Sequence, residues 1–225
     1  GLLKEGKSIG ISSNSHKAIN NLLYAVEKYS FEKNVTFSGT KKSSLFNSDS
    51  FLNGRIITDV TRNEDVSGNL VGATAWYFAN EDNDQVFDYL FVDEAGQVSL
   101  ANITAMGVCA RNIVLLGDQM QLGQPIQGVH PGDSGKSILD YLMEDHSTVP
   151  ENQGIFLPKT YRMHHDISRF ISDTFYNGRL TTKKHNSEQR LMLEGNKKFN
   201  LPETGIRFIP SVHEGCSQLS EEEAQ

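Results

Sequence analysis

Two apolar runs, Tyr89-Leu90-Phe91-Val92 and Ile113-Val114-Leu115-Leu116, are short, uninterrupted and bounded by polar residues or glycine. That is the pattern of strands covered on both faces in a parallel sheet. A helix is predicted between them over Ser99–Ala110. Upstream, Ser8–Ser12 reads as a short strand, and Ser15–Tyr29 carries Ala18, Leu22, Ala25, Val26 and Tyr29 at helical spacing. Leu70–Thr74 predicts another strand, followed by Ala75-Trp76-Tyr77-Phe78. Downstream, Ser134–Met143 predicts a helix capped by Ser134. Ile167–Tyr176 is amphipathic, with Ile167, Phe170, Ile171 and Phe175 on one face. Residues 32–69, rich in Lys, Ser, Asn and Asp with weak periodicity, predict an irregular, exposed stretch, and Gly205–Val212 predicts the first strand of a new unit. Strands alternating with helices make the fold α/β with a mainly parallel sheet.

The chemistry sits where the apolar runs stop. The first ends in Asp93-Glu94, and the second in Gly117-Asp118 with Gln121 just beyond. Groups at the carboxyl ends of parallel strands lie in the crevice where such sheets bind ligands. Nucleoside triphosphate hydrolysis needs such a set: a carboxylate for magnesium, another to activate water, and a polar sensor of the γ-phosphate. The loop 128–137 mimics a phosphate-binding loop, but G-x-x-x-x-G-K-[ST] requires glycine at position 130, where His130 stands. It reads instead as a loop leading into a helix. Alone, Arg162 reads as a surface arginine, and His164 and His165 as helix-start residues without metal-ligand spacing.

Composition narrows the class. The 225 residues suffice for one large domain, or one domain plus part of another, and apolar and charged fractions of 37% and 22% are those of an ordinary soluble protein. No apolar run approaches a membrane span, and Cys109 and Cys216 stand alone, so the expected location is cytoplasmic, without a disulfide or a membrane partner. A net charge of −7 argues against gripping nucleic acid by bulk charge, but not against a groove of amides and hydroxyls. The chain starts at Gly1 in what reads as a helix tail and ends in Ser220-Glu221-Glu222-Glu223, a helix start, so it is expected to be part of something larger.

Four ordered motifs resemble superfamily 1 helicases, in the group of RNA-surveillance helicases and replication helicase-nucleases. They are Ser12-Ser13-Asn14-Ser15-His16-Lys17-Ala18-Ile19-Asn20-Asn21-Leu22-Leu23 (motif Ia), Asp93-Glu94-Ala95-Gly96-Gln97 (motif II), the GDQMQLGQP stretch at 117–125 (motif III), and the LPKTYRMHHDISRFISDTFYNGRL stretch at 157–180 (motif IV and its following helix). The last is the most specific, although Thr160 replaces a common Gln and His165 a common Pro. The 128–132 loop looks most like that of bacterial members fused to a RecB-like nuclease. The resemblance implies a RecA-like first domain over 1–150, a motif IV connection over 151–204, and the start of a second RecA-like domain at 205–225. It implies ATP and Mg²⁺ as cofactors, with Asp93 holding magnesium through water, Glu94 as general base, Gln121 as γ-phosphate sensor and Arg162 as an arginine finger. Gln97 and Asp118 belong with the nucleotide site, and Ser13, Asn14, Ser15 and Thr74 with single-stranded nucleic acid, DNA favoured over RNA. The resemblance places the family's Walker A sequence just upstream of Gly1, ahead of the motif Ia segment. The chain alone is therefore expected neither to bind nor to hydrolyse ATP, and to expose sheet edges through which it self-associates. The alternative is a degenerate helicase-like scaffold, which would have no need of Asp93, Glu94, Gln121 and Arg162 together.

Overall fold

A computed structural model describes residues 1–123, 128–144, 146–192, 202–208 and 210. The chain divides into two compact units, Gly1–Asp145 and His146–Gln225.

The first unit contains β1 (Ile9–Ser12), α1 (His16–Lys33), β2 (Gly39–Lys42), β3 (Ile57–Val60), β4 (Leu70–Gly72), α2 (Ala75–Phe78), β5 (Phe87–Val92), α3 (Leu100–Gly107), β6 (Ala110–Leu115) and α4 (Ile138–Met143). Its six strands form one sheet in the order β3-β2-β4-β1-β5-β6, and every pairing is parallel. This is the α/β, RecA-like arrangement expected. Central β1 is buried throughout, so both its faces are covered. Ile9 and Ile11 join Ile19, Leu23, Leu52, Ile57 and Leu70 in one core. Phe78, Phe87, Leu90, Val92 and Ile103 form the other. Two glycines set how closely helices approach. A β carbon at Gly72 would lie 2.5 Å from Leu23 of α1, and one at Gly10 would lie 2.7 Å from Phe78 of α2.

Three expectations are corrected. Residues 32–69 supply β2 and β3, two of the six strands. Their hydrophobic pattern is weak because two carboxylates, buried Glu27 and half-buried Asp59, hold them. Glu27 Oε1 accepts from the Ile56 and Ile57 amides at 2.7 and 2.8 Å. Asp59 accepts from the Leu52 and Asn53 amides at 2.8 and 2.7 Å and from Ser43 Oγ at 2.7 Å. The helix predicted from Ser134 begins at Ile138, capped by Ser137, whose Oγ accepts from the Asp140 amide at 3.0 Å. Residues 131–136 are turns, closed by Ser134 N–H to the Pro131 carbonyl and Lys136 N–H to the Asp133 carbonyl. Third, the predicted strand over 205–212 shows no regular structure at 205–208 and 210; Ile209 and residues 211–225, including the predicted terminal helix, lie outside the described residues.

The second unit holds β7 (Lys159–Thr160), α5 (His165–Phe175) and β8 (Thr181–Thr182), the two strands pairing in parallel. Among the described residues no helix is long and apolar enough to cross a membrane.

Candidate nucleotide and nucleic-acid site

The register of β5 and β6 pairs Val92 with Leu115, so Asp93-Glu94 and Leu116-Gly117 leave the sheet side by side. The two turns are then stitched backbone to backbone. Leu116 N–H donates to the Val92 carbonyl and Ala95 N–H to the Leu116 carbonyl, both at 2.8 Å. No side chain fits between them: a β carbon on Gly96 would lie 2.5 Å from the Asp118 carbonyl oxygen, and one on Gly117 would lie 2.8 Å from the Ala95 nitrogen.

Asp93 is half-buried; its amide donates to the Ser12 carbonyl at 2.8 Å, and its Oδ1 accepts from the Glu94 amide at 3.0 Å. Glu94 is exposed, in a left-handed backbone conformation at φ 54° and ψ 40°. A non-glycine residue there is strained, and such strain clusters at functional sites. The twist turns the chain from β5 into the short 3₁₀ turn Ala95–Gln97 and leaves the carboxylate in solvent. Across the crevice, Asp118 Oδ1 accepts from the Met120 amide at 3.0 Å and Oδ2 from the Gln121 side-chain amide at 3.2 Å. Asp118 thereby orients Gln121.

The loop after β1 meets the same turn. Asn14 Nδ2 donates to the Gln97 carbonyl at 2.5 Å. Ser15 caps α1, its side chain accepting from the Ala18 amide. The hydroxyls of Ser12 and Ser13 are buried and find no hydrogen-bond partner among the described residues. Thr74 is the N-cap residue of α2 without a side-chain cap bond. Because Ile11 and Gly72 are Cα partners, Ser13 and Thr74 emerge level on neighbouring strands.

Arg162 lies in the second unit, exposed, on a turn where its amide donates to Thr160 Oγ1 at 3.3 Å. That turn is pinned below, since the Met163 carbonyl accepts from Thr182 Oγ1 at 2.6 Å and from buried Asn186 Nδ2 at 3.2 Å. His164 is the N-cap of α5, its Nδ1 accepting from the Asp166 amide at 3.1 Å. The structure thus gathers Ser13, Asn14, Ser15, Thr74, Asp93, Glu94, Gln97, Asp118 and Gln121 on the carboxyl side of one sheet, and puts Arg162 in the other unit.

Sequence reasoning passed over Lys41, which is 0% exposed at the carboxyl end of β2. Its Nζ donates to the Lys42 carbonyl at 2.7 Å and lies 3.1 Å from His16 Nδ1 at the start of α1. Burial pushes the ammonium down to about 8 although Asp59 pulls the other way. Burial, then Lys41 and Lys42, also lowers the His16 imidazole, keeping it neutral to accept from Lys41. The signal available was the Gly39-Thr40-Lys41-Lys42 segment itself, hidden by its charge. Cys109 is a buried free thiol pushed up to about 12 by burial; Cys216 lies outside the described residues.

The donor set fits part of a magnesium–ATP ligand. Hard carboxylate oxygens at Asp93 and Asp118 suit magnesium and its waters, and Glu94 is free of the fold's own hydrogen bonding through its carboxylate. Two Gly-Lys-Ser sequences occur. At Gly135-Lys136-Ser137, Lys136 pairs with Asp133 at 2.8 Å and its carbonyl takes the Leu100 amide. Gly6-Lys7-Ser8, which completes a G-x-x-x-x-G-K-S spacing from Gly1, precedes the amino end of β1, opposite the strand ends that carry the acids, and Ser8 Oγ donates to the Val86 carbonyl at 3.1 Å. Among the described residues no glycine-rich amide cradle for phosphates faces the acids.

Residues 134–224 match the family described as an AAA domain. The chain is 31% identical over 129 residues to the DNA polymerase alpha-associated DNA helicase A of Schizosaccharomyces pombe, covering 57% of this chain and 19% of that protein. It is 31% identical over 114 residues to the DNA replication ATP-dependent helicase/nuclease dna2 of the same organism, covering 49% and 8%. To the corresponding DNA2 of Gallus gallus it is 26% identical over 187 residues, covering 78% and 18%. The chain spans less than a fifth of the length of each of these relatives.

Proposed function

We propose that this superfamily 1 helicase-like chain carries the hydrolytic and strand-gripping residues of an ATP-dependent motor on single-stranded nucleic acid, DNA before RNA. The observation that carries the reading is the Asn14 to Gln97 hydrogen bond, which ties the strand-contacting loop after β1 to the acidic turn after β5. A motor needs such a tie, because hydrolysis at one turn must be felt at the other.

In this reading magnesium supplies charge neutralisation of the phosphates. Asp93 would be the carboxylate that holds it. Glu94 takes a proton from the attacking water, and its strained backbone keeps that carboxylate out of the hydrogen bonds of the turn. Gln121, steadied by Asp118, senses the γ-phosphate. Arg162, by its motif, would serve as an arginine finger for the γ-phosphate. Ser15 and Thr74 offer hydroxyls to backbone phosphates, and Ser13, whose own hydroxyl is buried, would join them by turning its side chain outward, contacts that suit a chain of net charge −7. Tenancy of the cytoplasm and a nuclease partner domain belong to the same proposal. The open β6 edge, where Ile113 is 43% exposed, supports self-association of the 225-residue chain.

The test is ATP hydrolysis by the longer protein that carries this chain together with a phosphate-binding loop, with and without single-stranded DNA or RNA. Stimulation by one polymer, lost by at least a hundredfold in Glu94→Gln, is expected. The 225-residue chain by itself is expected to show no ATP binding by calorimetry. A well-folded longer protein that grips a strand but never hydrolyses ATP would replace this reading with the scaffold.

A further inference from the structure

We propose that Trp76 is the stacking platform for one base of the bound single strand, an inference that rests on the strand-binding reading of the Ser13–Ser15 and Thr74 crevice. Trp76 is the chain's single tryptophan and is 90% exposed. A ring of that size is ordinarily among the most heavily buried in a fold. Its exposure is not a result of loose backbone. The next two residues anchor α2: Phe78 is fully buried and packs edge-on against Phe87 at 5.4 Å, and Tyr77 packs edge-on against Phe78 at 5.3 Å. Asn83 Nδ2 closes the turn on the Tyr77 carbonyl at 2.7 Å, and Ala79 N–H on the Ala75 carbonyl at 2.9 Å. A rigid element therefore presents an unburied aromatic ring.

Position identifies the occupant. β4 is the strand next to β1, Ala73 N–H donates to the Ile11 carbonyl, and Thr74 emerges level with Ser13. Trp76 stands two residues beyond Thr74, a partly exposed N-cap residue whose hydroxyl makes no cap bond, on the carboxyl side of the sheet. Hydroxyls there can take phosphates, but they offer nothing to the apolar faces of bases. Aromatic platforms do, without regard to sequence, since every base has a π face. With a net charge of −7, affinity must draw more on stacking than on counterion release.

The single tryptophan is its own probe. The 225-residue chain is titrated with labelled oligothymidylate and with an abasic oligomer of equal length. Binding is followed by anisotropy of the label and, separately, by tryptophan fluorescence. Oligothymidylate is expected to quench Trp76, whereas the abasic oligomer binds about tenfold more weakly and leaves the fluorescence unchanged. Trp76→Ala should lose about tenfold for oligothymidylate and nothing for the abasic oligomer, with Trp76→Phe between. The ring is exposed, so circular dichroism should match the parent. Oligothymidylate that binds by anisotropy without quenching, and equally well to Trp76→Ala, overturns the stacking role and leaves the strand-binding reading intact. No binding of either oligomer overturns both.

Discussion

The two halves of the six-stranded sheet are built from different materials. On the β5–β6 side the strands are apolar runs, and Phe87, Leu90 and Val92 of β5 pack with Phe78 and Ile103 as a hydrocarbon core, while β6 at the sheet edge keeps Ile113 exposed, not covered on both faces as its apolar run predicts. On the β2–β3 side the fully covered residues include Thr40, Lys41, Ser43 and Ser50, and two carboxylates, Glu27 and Asp59, satisfy backbone amides that a neighbouring strand would otherwise take. Both halves achieve the same parallel geometry. The apolar half is held by area removed from water, which tolerates small shifts. The polar half is held by a few directed bonds, each of which fails completely when its acceptor is lost.

That contrast is open to test by urea unfolding. The largest effect is expected from Phe78→Ala, which opens a cavity against Gly10 and Phe87 and should cost about 4 kcal/mol without changing the sheet register. Glu27→Ala should cost about 3 kcal/mol, although it removes little apolar surface, because the buried Ile57 amide and the half-buried Ile56 amide lose their acceptor. A loss under 1 kcal/mol would mean that the carboxylate is ornamental and the halves do not differ in kind. The smallest and most diagnostic effect concerns pH. Lys41 has a folded pKa of about 8, below its ordinary 10.5. Below pH 8 the folded chain carries a buried proton that the unfolded chain holds more readily, so the penalty is fully present there. It fades as pH rises from 8 to 10.5, and stability should therefore rise. Relative to Lys41→Met, the parent chain should gain about 2 kcal/mol between pH 7 and pH 10. Parallel pH profiles for the two proteins would remove the lysine from the argument.

The same contrast governs how much could be read without coordinates. β5 and β6 declared themselves as apolar runs with acids at their ends, and the helix between them, Leu100–Gly107, fell inside its predicted bounds with Ser99 as cap. The parallel α/β sheet and the crevice position of Asp93, Glu94, Asp118 and Gln121 followed from those strand ends, and the RecA-like fold from the resemblance to superfamily 1 helicases. β2 and β3 were illegible because the groups that stabilise them lie far away in sequence: Glu27 is 29 and 30 residues from the amides it caps. Lys41 read as solvent-facing because charge is ordinarily exposed. The start of α4 was misplaced by three residues of turn, Ser134 to Lys136, where a serine resembling a cap precedes the serine that caps. The Asn14 to Gln97 bond and the strain at Glu94 had no linear trace at all.

The closeness of Gly96 to Asp118 and of Gly117 to Ala95 has a mechanical meaning. Packed side chains are springs, since a rotamer can absorb a few tenths of an ångström before its neighbour feels a push. Here main chain lies directly on main chain, with two glycines marking where any spring has been left out. A displacement at the end of β6 is transmitted to the turn that carries Glu94 without slack, and through the Gln97 carbonyl onward to Asn14. The crevice behaves as a linkage of stiff rods, whose timing is set by geometry and not by how well its parts are packed.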